Sequence, residues 1–304
     1  MKKLLKLCEN LRSLWWLGLW GVLGTIFNVP WLMYFNFFFL FGLLGFPLAL
    51  KGESGVIWQP FAQIFGMIFT PLRHGFRLPD KNSHASPNSY ILPFSGSWTV
   101  VNGGADKEIS HSWGIYPQRY ALDFIMTDDD GNYFQGDKTA LDSYFCYGAD
   151  IIAPADGVIV KSVAHHPDSR VDGEKAHCDA NDILGNHLII DHGGGEFSLI
   201  GHLAPNSLTA TAGEWVQQGQ IIAKCGNSGN TSMPHIHFQL QAGKGAFLSA
   251  GLPIAFSGIA AQPHPNYAKI DPRPTNGNLQ TINNKTYIGR GVIAINEACK
   301  DSTA

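Results

Sequence analysis

Two histidines, His235 and His237, stand one residue apart in the run Pro234-His235-Ile236-His237-Phe238-Gln239-Leu240. On a β-strand, residues i and i+2 face the same side. The two imidazoles therefore project together, and Ile236 and Phe238 point to the core. Such a pair suits a shared metal ion or a shared proton-transfer task; a solvated polar strand face is the alternative. Upstream, Glu196-Phe197-Ser198-Leu199-Ile200-Gly201-His202-Leu203 reads as a strand ending in a histidine. Asp123 lies inside an apolar stretch, Gln118-Arg119-Tyr120-Ala121-Leu122-Asp123-Phe124. Desolvation there is costly unless a cation or hydrogen-bond donors meet the carboxylate. One carboxylate oxygen with imidazole nitrogens is a donor set that suits Zn²⁺. No Ser-His-Asp or Cys-His nucleophile pattern competes, and Cys225, in an apolar run, reads as a small buried hydrophobe.

The elements that must position these groups are short. From Ile91 onward, apolar runs alternate with Gly, Asn, Asp and Pro: Ser97–Val101, Tyr120–Met126, Gly157–Val163, His187–Asp191, Glu196–His202 and His235–Gln241. Short strands separated by turn signals predict a mainly β, compact antiparallel sandwich or barrel-like domain. The Gly/Asn-rich loop Gly226–Thr231 leads tightly into the His235 strand. The polar stretch His165–Asp182 reads as a surface insertion. A Pro/Asn-rich tail follows Gln262, with late strands between Lys285 and Ile295. The expected organisation is a membrane anchor over 1–75, a linker over 76–95, the β domain over 96–262 and a C-terminal extension over 263–304.

Of the 304 residues only 15% are charged, with a net charge of −3. That gives no case for nucleic-acid binding and points to apolar sequence concentrated in one place. It lies at the front. Ser13 to Leu50 carries no charge, about 38 residues or roughly 57 Å of helix, close to two bilayer cores. A break at Asn28-Val29-Pro30 predicts a hairpin of Ser13–Phe27 and Trp31–Leu50. Trp15, Trp16, Trp20 and Trp31 suit a lipid interface. A weaker stretch, Gly55–Pro71, reads as a third span or a helix lying in the interface. Lys2, Lys3, Lys6 and Arg12 place the N-terminus in the cytoplasm. Two spans would return the chain there and three would export it. The five cysteines, Cys8, Cys146, Cys178, Cys225 and Cys299, form no Cys-x-x-Cys pair, and pairing of Cys146 with Cys178 is left open.

In chain order, Asp123, Ile152-Ala153-Pro154-Ala155-Asp156-Gly157, Gly185-Asn186-His187, Asp191-His192-Gly193, Gly201-His202-Leu203, Gly219-Gln220-Ile221-Ile222-Ala223, Gly226-Asn227-Ser228-Gly229 and Pro234-His235-Ile236-His237-Phe238 resemble the lysostaphin-type (LytM-type) zinc metalloendopeptidases. The resemblance covers about Ser97 to Gln241. It implies a grooved antiparallel β fold, a Zn²⁺ cofactor and hydrolysis of peptide bonds in bacterial peptidoglycan. It implies Asp123 and His237 as metal ligands and His202 and His235 as the catalytic pair beside the metal. The family's remaining ligand is a histidine four residues before the Asp, a position held here by Arg119. Arginine stays protonated and cannot ligate Zn²⁺. Three readings follow. His111, in Ser110-His111-Ser112-Trp113, folds back as the missing ligand; or Asp123, His237 and water hold metal weakly; or Arg119 pairs with Asp123 in a non-catalytic module that binds cell wall or a partner. Trp113, Tyr120 and Asn102 are expected to line the groove. His187 and His192 are expected to serve sheet and turn, His165, His166 and His177 to be solvated, and His84 and His264 to lie in loops. The whole reads as a membrane-anchored peptidase whose partners are cell-wall peptides and the lipid bilayer, with its β domain outside the cytoplasm.

Overall fold

The computed structural model describes residues 13–27, 29–44, 55–173, 175–179, 182–275, 279–282 and 284–298. The chain divides into two compact units, Met1–Pro60 and Phe61–Ala304.

In the first unit a 3-10 segment, Ser13–Leu17, runs into α1 (Gly18–Ile26). The return limb is α2 (Pro30–Met33), extended by a 3-10 segment, Tyr34–Leu44. Pro30 opens α2, where its fixed φ and missing N–H cost nothing. Gly18, Gly21 and Gly24 share the buried face of α1. A Cβ on Gly24 would stand 2.5 Å from Leu32 Cβ, so the return limb packs on bare backbone. The expected hairpin is present. Nothing supports the expected spans: among the described residues, no helix is long and apolar enough to cross a membrane. α1 has nine residues, roughly 14 Å of rise against a core of about 30 Å. The 19-residue α3 (Gly55–Arg73) is diluted by Gln59, Pro60 and Gln63. Lys2, Lys3, Lys6, Cys8, Arg12, Cys299 and the segment 45–50 lie outside the described residues.

The second unit is mainly β. Its strands in chain order are β1 (Gly96–Gly103), β2 (Leu122–Ile125), β3 (Asp150–Ile152), β4 (Gly157–Val163), β5 (His177–Cys178), β6 (Asn186–Asp191), β7 (Phe197–Leu203), β8 (Trp215–Val216), β9 (Ile221–Lys224), β10 (Asn230–Thr231), β11 (Ile236–Gln241), β12 (Gly251–Leu252), β13 (Ile259–Pro263), β14 (Gln280–Ile282), β15 (Lys285–Tyr287) and β16 (Val292–Asn296). The main sheet runs β13-β16-β1-β2-β11-β7-β6-β4-β8, with β12 beside β11. Its pairs are antiparallel. The late strand β16 lies between β13 and β1, one strand in from the edge, so part of 263–304 is integral to the sheet.

Alternation along β2 and β11 sorts the two faces. Leu122 and Phe124, with Ile236, Phe238 and Leu240, enter a core that includes Phe94, Trp98 and Val100. Phe94 stacks on Trp98 at 4.6 Å and meets Phe124 edge-on at 4.9 Å. Asp123, His237, Gln239 and Gln241 fall on the other face by the same period of two.

Part of the expected linker is pinned. Ser86 Oγ, Asn88 Nδ2 and Tyr90 OH all donate to Glu196 Oε2, at 2.7, 2.9 and 2.8 Å. His84 Nε2 lies 2.9 Å from the other oxygen. His177 is buried rather than solvated, its Nε2 lying 2.6 Å from Asp172 Oδ2; His264 lies in a loop as expected, buried against Thr127. Cys146 is a buried free thiol, so it does not pair with Cys178, and Cys225 is fully buried as expected.

Candidate metal centre

Sheet register assembles the site. His237 of β11 is opposite Asp123 of β2 on one side and Gly201 of β7 on the other. A bulge in β1 between Val100 and Asn102 places Asn102 opposite Asp123, the re-aiming that bulges produce. Asn102, Asp123, His237 and Gly201 thus form one row across four strands, and His202 is next to Gly201.

Asp123 is the hub. Its Oδ1 lies 2.9 Å from His237 Nδ1, and its Oδ2 accepts from Asn102 Nδ2 at 3.1 Å. The loop between β1 and β2 folds back, and His111 Nε2 stands 3.8 Å from Asp123 Oδ2. The donor atoms of His111, Asp123 and His237 lie within 4.8 Å of one another. Ligands held at about 2.0–2.2 Å in a tetrahedron sit about 3.4 Å apart, so this set fits a Zn²⁺-sized ion. Burial alone would raise the Asp123 carboxyl, but the neighbouring His111, His237 and His235 hold it far below the usual carboxylate range. Burial lowers His111, reinforced by His237, His235 and Arg273 and opposed by Asp123. Burial also disfavours charge on His237, but Asp123 and Gln239 outweigh it and the net shift is upward.

The tautomer of His237 is fixed from a distance. Gly243 O accepts from Gln241 Nε2 at 2.7 Å, which turns Gln241 Oε1 toward Gln239. Gln239 Nε2 donates to that oxygen at 2.6 Å. Gln239 Oε1 therefore faces His237 Nε2, 3.0 Å away, and accepts its proton. In the protonated ring Nδ1 donates to the Asp123 carboxylate; loss of that proton leaves the lone pair on Nδ1, directed toward Asp123. Such outer contacts orient a ligating imidazole and raise its basicity.

His202 and His235 face each other with ring centroids 4.6 Å apart, and His202 is 5.9 Å from His237. His202 Nδ1 donates to Ser228 O at 2.8 Å, and His235 Nδ1 donates to Met233 O at 2.8 Å. In the neutral form both rings keep a lone pair on Nε2. Burial and the adjacent His235 and His237 push His202 well below its ordinary range. His202 also has φ 61°, a left-handed conformation that a non-glycine residue holds only when its surroundings impose it. The imposing element is the loop Gly226–Thr231. Ser228 Oγ donates to Leu203 O, and Asn186 N donates to Ser228 Oγ. Gly229 (φ 87°) lets this loop close on Gly185, whose N would be 2.5 Å from a Cβ there.

The structure thus brings together all five residues singled out in the sequence: His111, Asp123, His202, His235 and His237. Arg119 does not pair with Asp123. Its Nε donates to Trp113 O at 3.1 Å, and its guanidinium lies 4.7 and 4.8 Å from the Trp113 and Tyr116 ring centroids. The aromatic faces satisfy the cation and turn it away from the carboxylate. Gln239, Gln241, Ser228 and Arg273 are the neighbours that sequence reasoning missed. Arg273 Nη2 donates to Asn102 Oδ1 at 2.6 Å. The glutamines were signalled by the same i, i+2 spacing that singled out the histidines.

Residues 137–250 match the family model described as Peptidase family M23. The match contains His202, His235 and His237; His111 and Asp123 precede it. The resemblance drawn from the sequence is thereby matched over this segment, which is similar to the M23 peptidases. Among solved structures, the lysostaphin catalytic domain from Staphylococcus simulans is similar at 18% identity over 51% of this chain and 88% of that one, with a TM-score of 0.33. A variant catalytic domain of the prophage-encoded M23 protein EnpA from Enterococcus faecalis shares 16% identity over 58% and 93%, with a TM-score of 0.30. A zinc-containing peptidase from Vibrio cholerae shares 18% identity over 55% and 41%, with a TM-score of 0.31. No curated protein matches the chain.

Proposed function

We propose that the protein is a zinc-dependent endopeptidase that hydrolyses peptide bonds of bacterial cell-wall peptidoglycan. The observation that carries this reading is the convergence of His111, Asp123 and His237 on one point beside the facing pair His202 and His235. His111, Asp123 and His237 would hold the Zn²⁺, leaving at least one position of a four-coordinate ion for a non-protein ligand. When bound, the ion supplies Lewis-acid polarisation of the scissile carbonyl and makes a water acidic.

The chain's own groups do the rest. His202 and His235, each with Nδ1–H tied to a backbone carbonyl, offer Nε2 as proton acceptor. One takes the proton of the attacking water. The other, once protonated, donates to the oxyanion or to the leaving nitrogen. The depressed His202 value keeps that ring neutral and competent as a base near pH 7. Asn102, braced by Arg273, holds the Asp123 carboxylate in place.

The non-catalytic reading rests on an Arg119–Asp123 pair, and none forms among the described residues. We also place the N-terminal region at a lipid surface, with the β domain on the cell-wall side. Trp15, Trp16, Leu19, Trp20, Phe27 and Trp31 all expose large apolar surface, which supports that placement.

The test is turnover of purified peptidoglycan by the full-length protein, followed as newly released amino groups. The parent is expected to release them, and His202→Ala to be slower by about 10²–10⁴-fold. A parent that releases none, with zinc bound, would refute the assignment.

A further inference from the structure

We infer that Arg119 is a positioning residue that clamps the loop carrying His111 over Asp123, an inference that rests on reading His111, Asp123 and His237 as the metal holders. A ligand on a long loop loses affinity to the entropy of ordering that loop, unless the chain fixes it beforehand. Here the residues on either side of His111 are tied to the same partner. Ser110 Oγ donates to Arg119 O at 2.8 Å, and Arg119 Nε donates to Trp113 O at 3.1 Å. His111 is therefore enclosed in a short arc whose two ends close on Arg119.

The arc is reinforced from within. Ser110 N donates to Asp106 O at 3.1 Å, and Ser112 N donates to Ser110 Oγ at 3.2 Å. The guanidinium lies against both Trp113 and Tyr116. Trp113 meets Tyr120 edge-on at 5.7 Å, and Tyr120 OH donates to Pro79 O at 2.9 Å. Arg119 stands just ahead of β2, four residues before Asp123, so one residue couples the loop-borne imidazole to the strand-borne carboxylate. Lysine cannot replace it: the contact needs a planar group that stacks while its Nε–H donates sideways. The geometry accounts for an arginine at this position without assigning it a charge role at the metal.

The experiment is Co²⁺ titration of the full-length protein, read by the visible absorption of the bound ion, with apo thermal unfolding recorded for every variant. The parent is expected to bind one ion. Arg119→Ala and Arg119→Lys are expected to bind it about 10–100-fold more weakly. In a His111→Ala background, Arg119→Ala is expected to add no further loss, because Arg119 acts through His111. Parent-like affinity in Arg119→Lys or Arg119→Ala, or losses that simply add in the double variant, would overturn the clamp while leaving the metal site intact. If Arg119→Ala does not fold, Arg119→Lys and its double variant carry the same two outcomes. A parent that takes up no Co²⁺ would overturn the metal-site reading itself, and the clamp with it.

Discussion

Glu196→Gln removes one charge and almost no volume, and its effect can be worked out in advance. The Glu196 side chain is 1% exposed and accepts three hydrogen bonds on Oε2, with His84 facing Oε1. Burial would raise its carboxyl, but His84, Asn88, Ser86 and Tyr90 overcome this and bring it down from 4.5 to about 2. That lowering corresponds to roughly 3 kcal/mol, and about 2 kcal/mol after allowance for solvent screening of the partly exposed His84. The sign follows from linkage. A folded value below the unfolded one stabilises fully above the unfolded value, and the contribution drains away as pH falls toward the folded value. At pH 7 the variant should therefore melt about 4–8 °C below the parent, at 2–4 °C per kcal/mol for a domain of this size. Between pH 4.5 and pH 2 the gap should close. Thermal unfolding of the full-length chain in chelator, followed by near-ultraviolet circular dichroism, reads both quantities. Equal melting temperatures at pH 7, or a gap that does not shrink with acid, would refute the argument.

Three further outcomes follow from the structure. Gln239→Leu breaks the relay that keeps the proton on His237 Nε2, and Zn²⁺ affinity measured by competition should fall about 10–100-fold. The His202 ring should stay neutral below the ordinary imidazole range; a nuclear magnetic resonance titration that shows it protonating near pH 6.5 would contradict this. Trp98→Ala empties a site 1% exposed in the Phe94–Phe124 stack and should cost about 3–5 kcal/mol by denaturant unfolding.

The strands were legible because each buries one face. Gly157–Val163 is observed with the expected bounds, and Phe197–Leu203 and Ile236–Gln241 lie within one residue of them. Their order was not legible, since nothing local in Val292–Asn296 says that it inserts between β13 and β1. Asp123, His202, His235 and His237 could be singled out because a charge or an imidazole interrupts an apolar run. His111 could not be settled without coordinates, because its position depends on contacts across a loop, through Ser110, Trp113 and Arg119. Glu196 passed unnoticed because its partners are four polar residues in a stretch that reads as a tether. The apolar N-terminus was visible in composition, but composition does not set helix length, and the described helices there are short.

One ion shared by three side chains is the core of the proposed site. The direct measurement is zinc stoichiometry by elemental analysis after equilibration of the full-length protein with excess Zn²⁺ and desalting. The predicted result is one zinc per chain in the parent and in His202→Ala, and its loss in His111→Ala, Asp123→Ala and His237→Ala. Full zinc in His111→Ala or Asp123→Ala, or none in the parent, would contradict it.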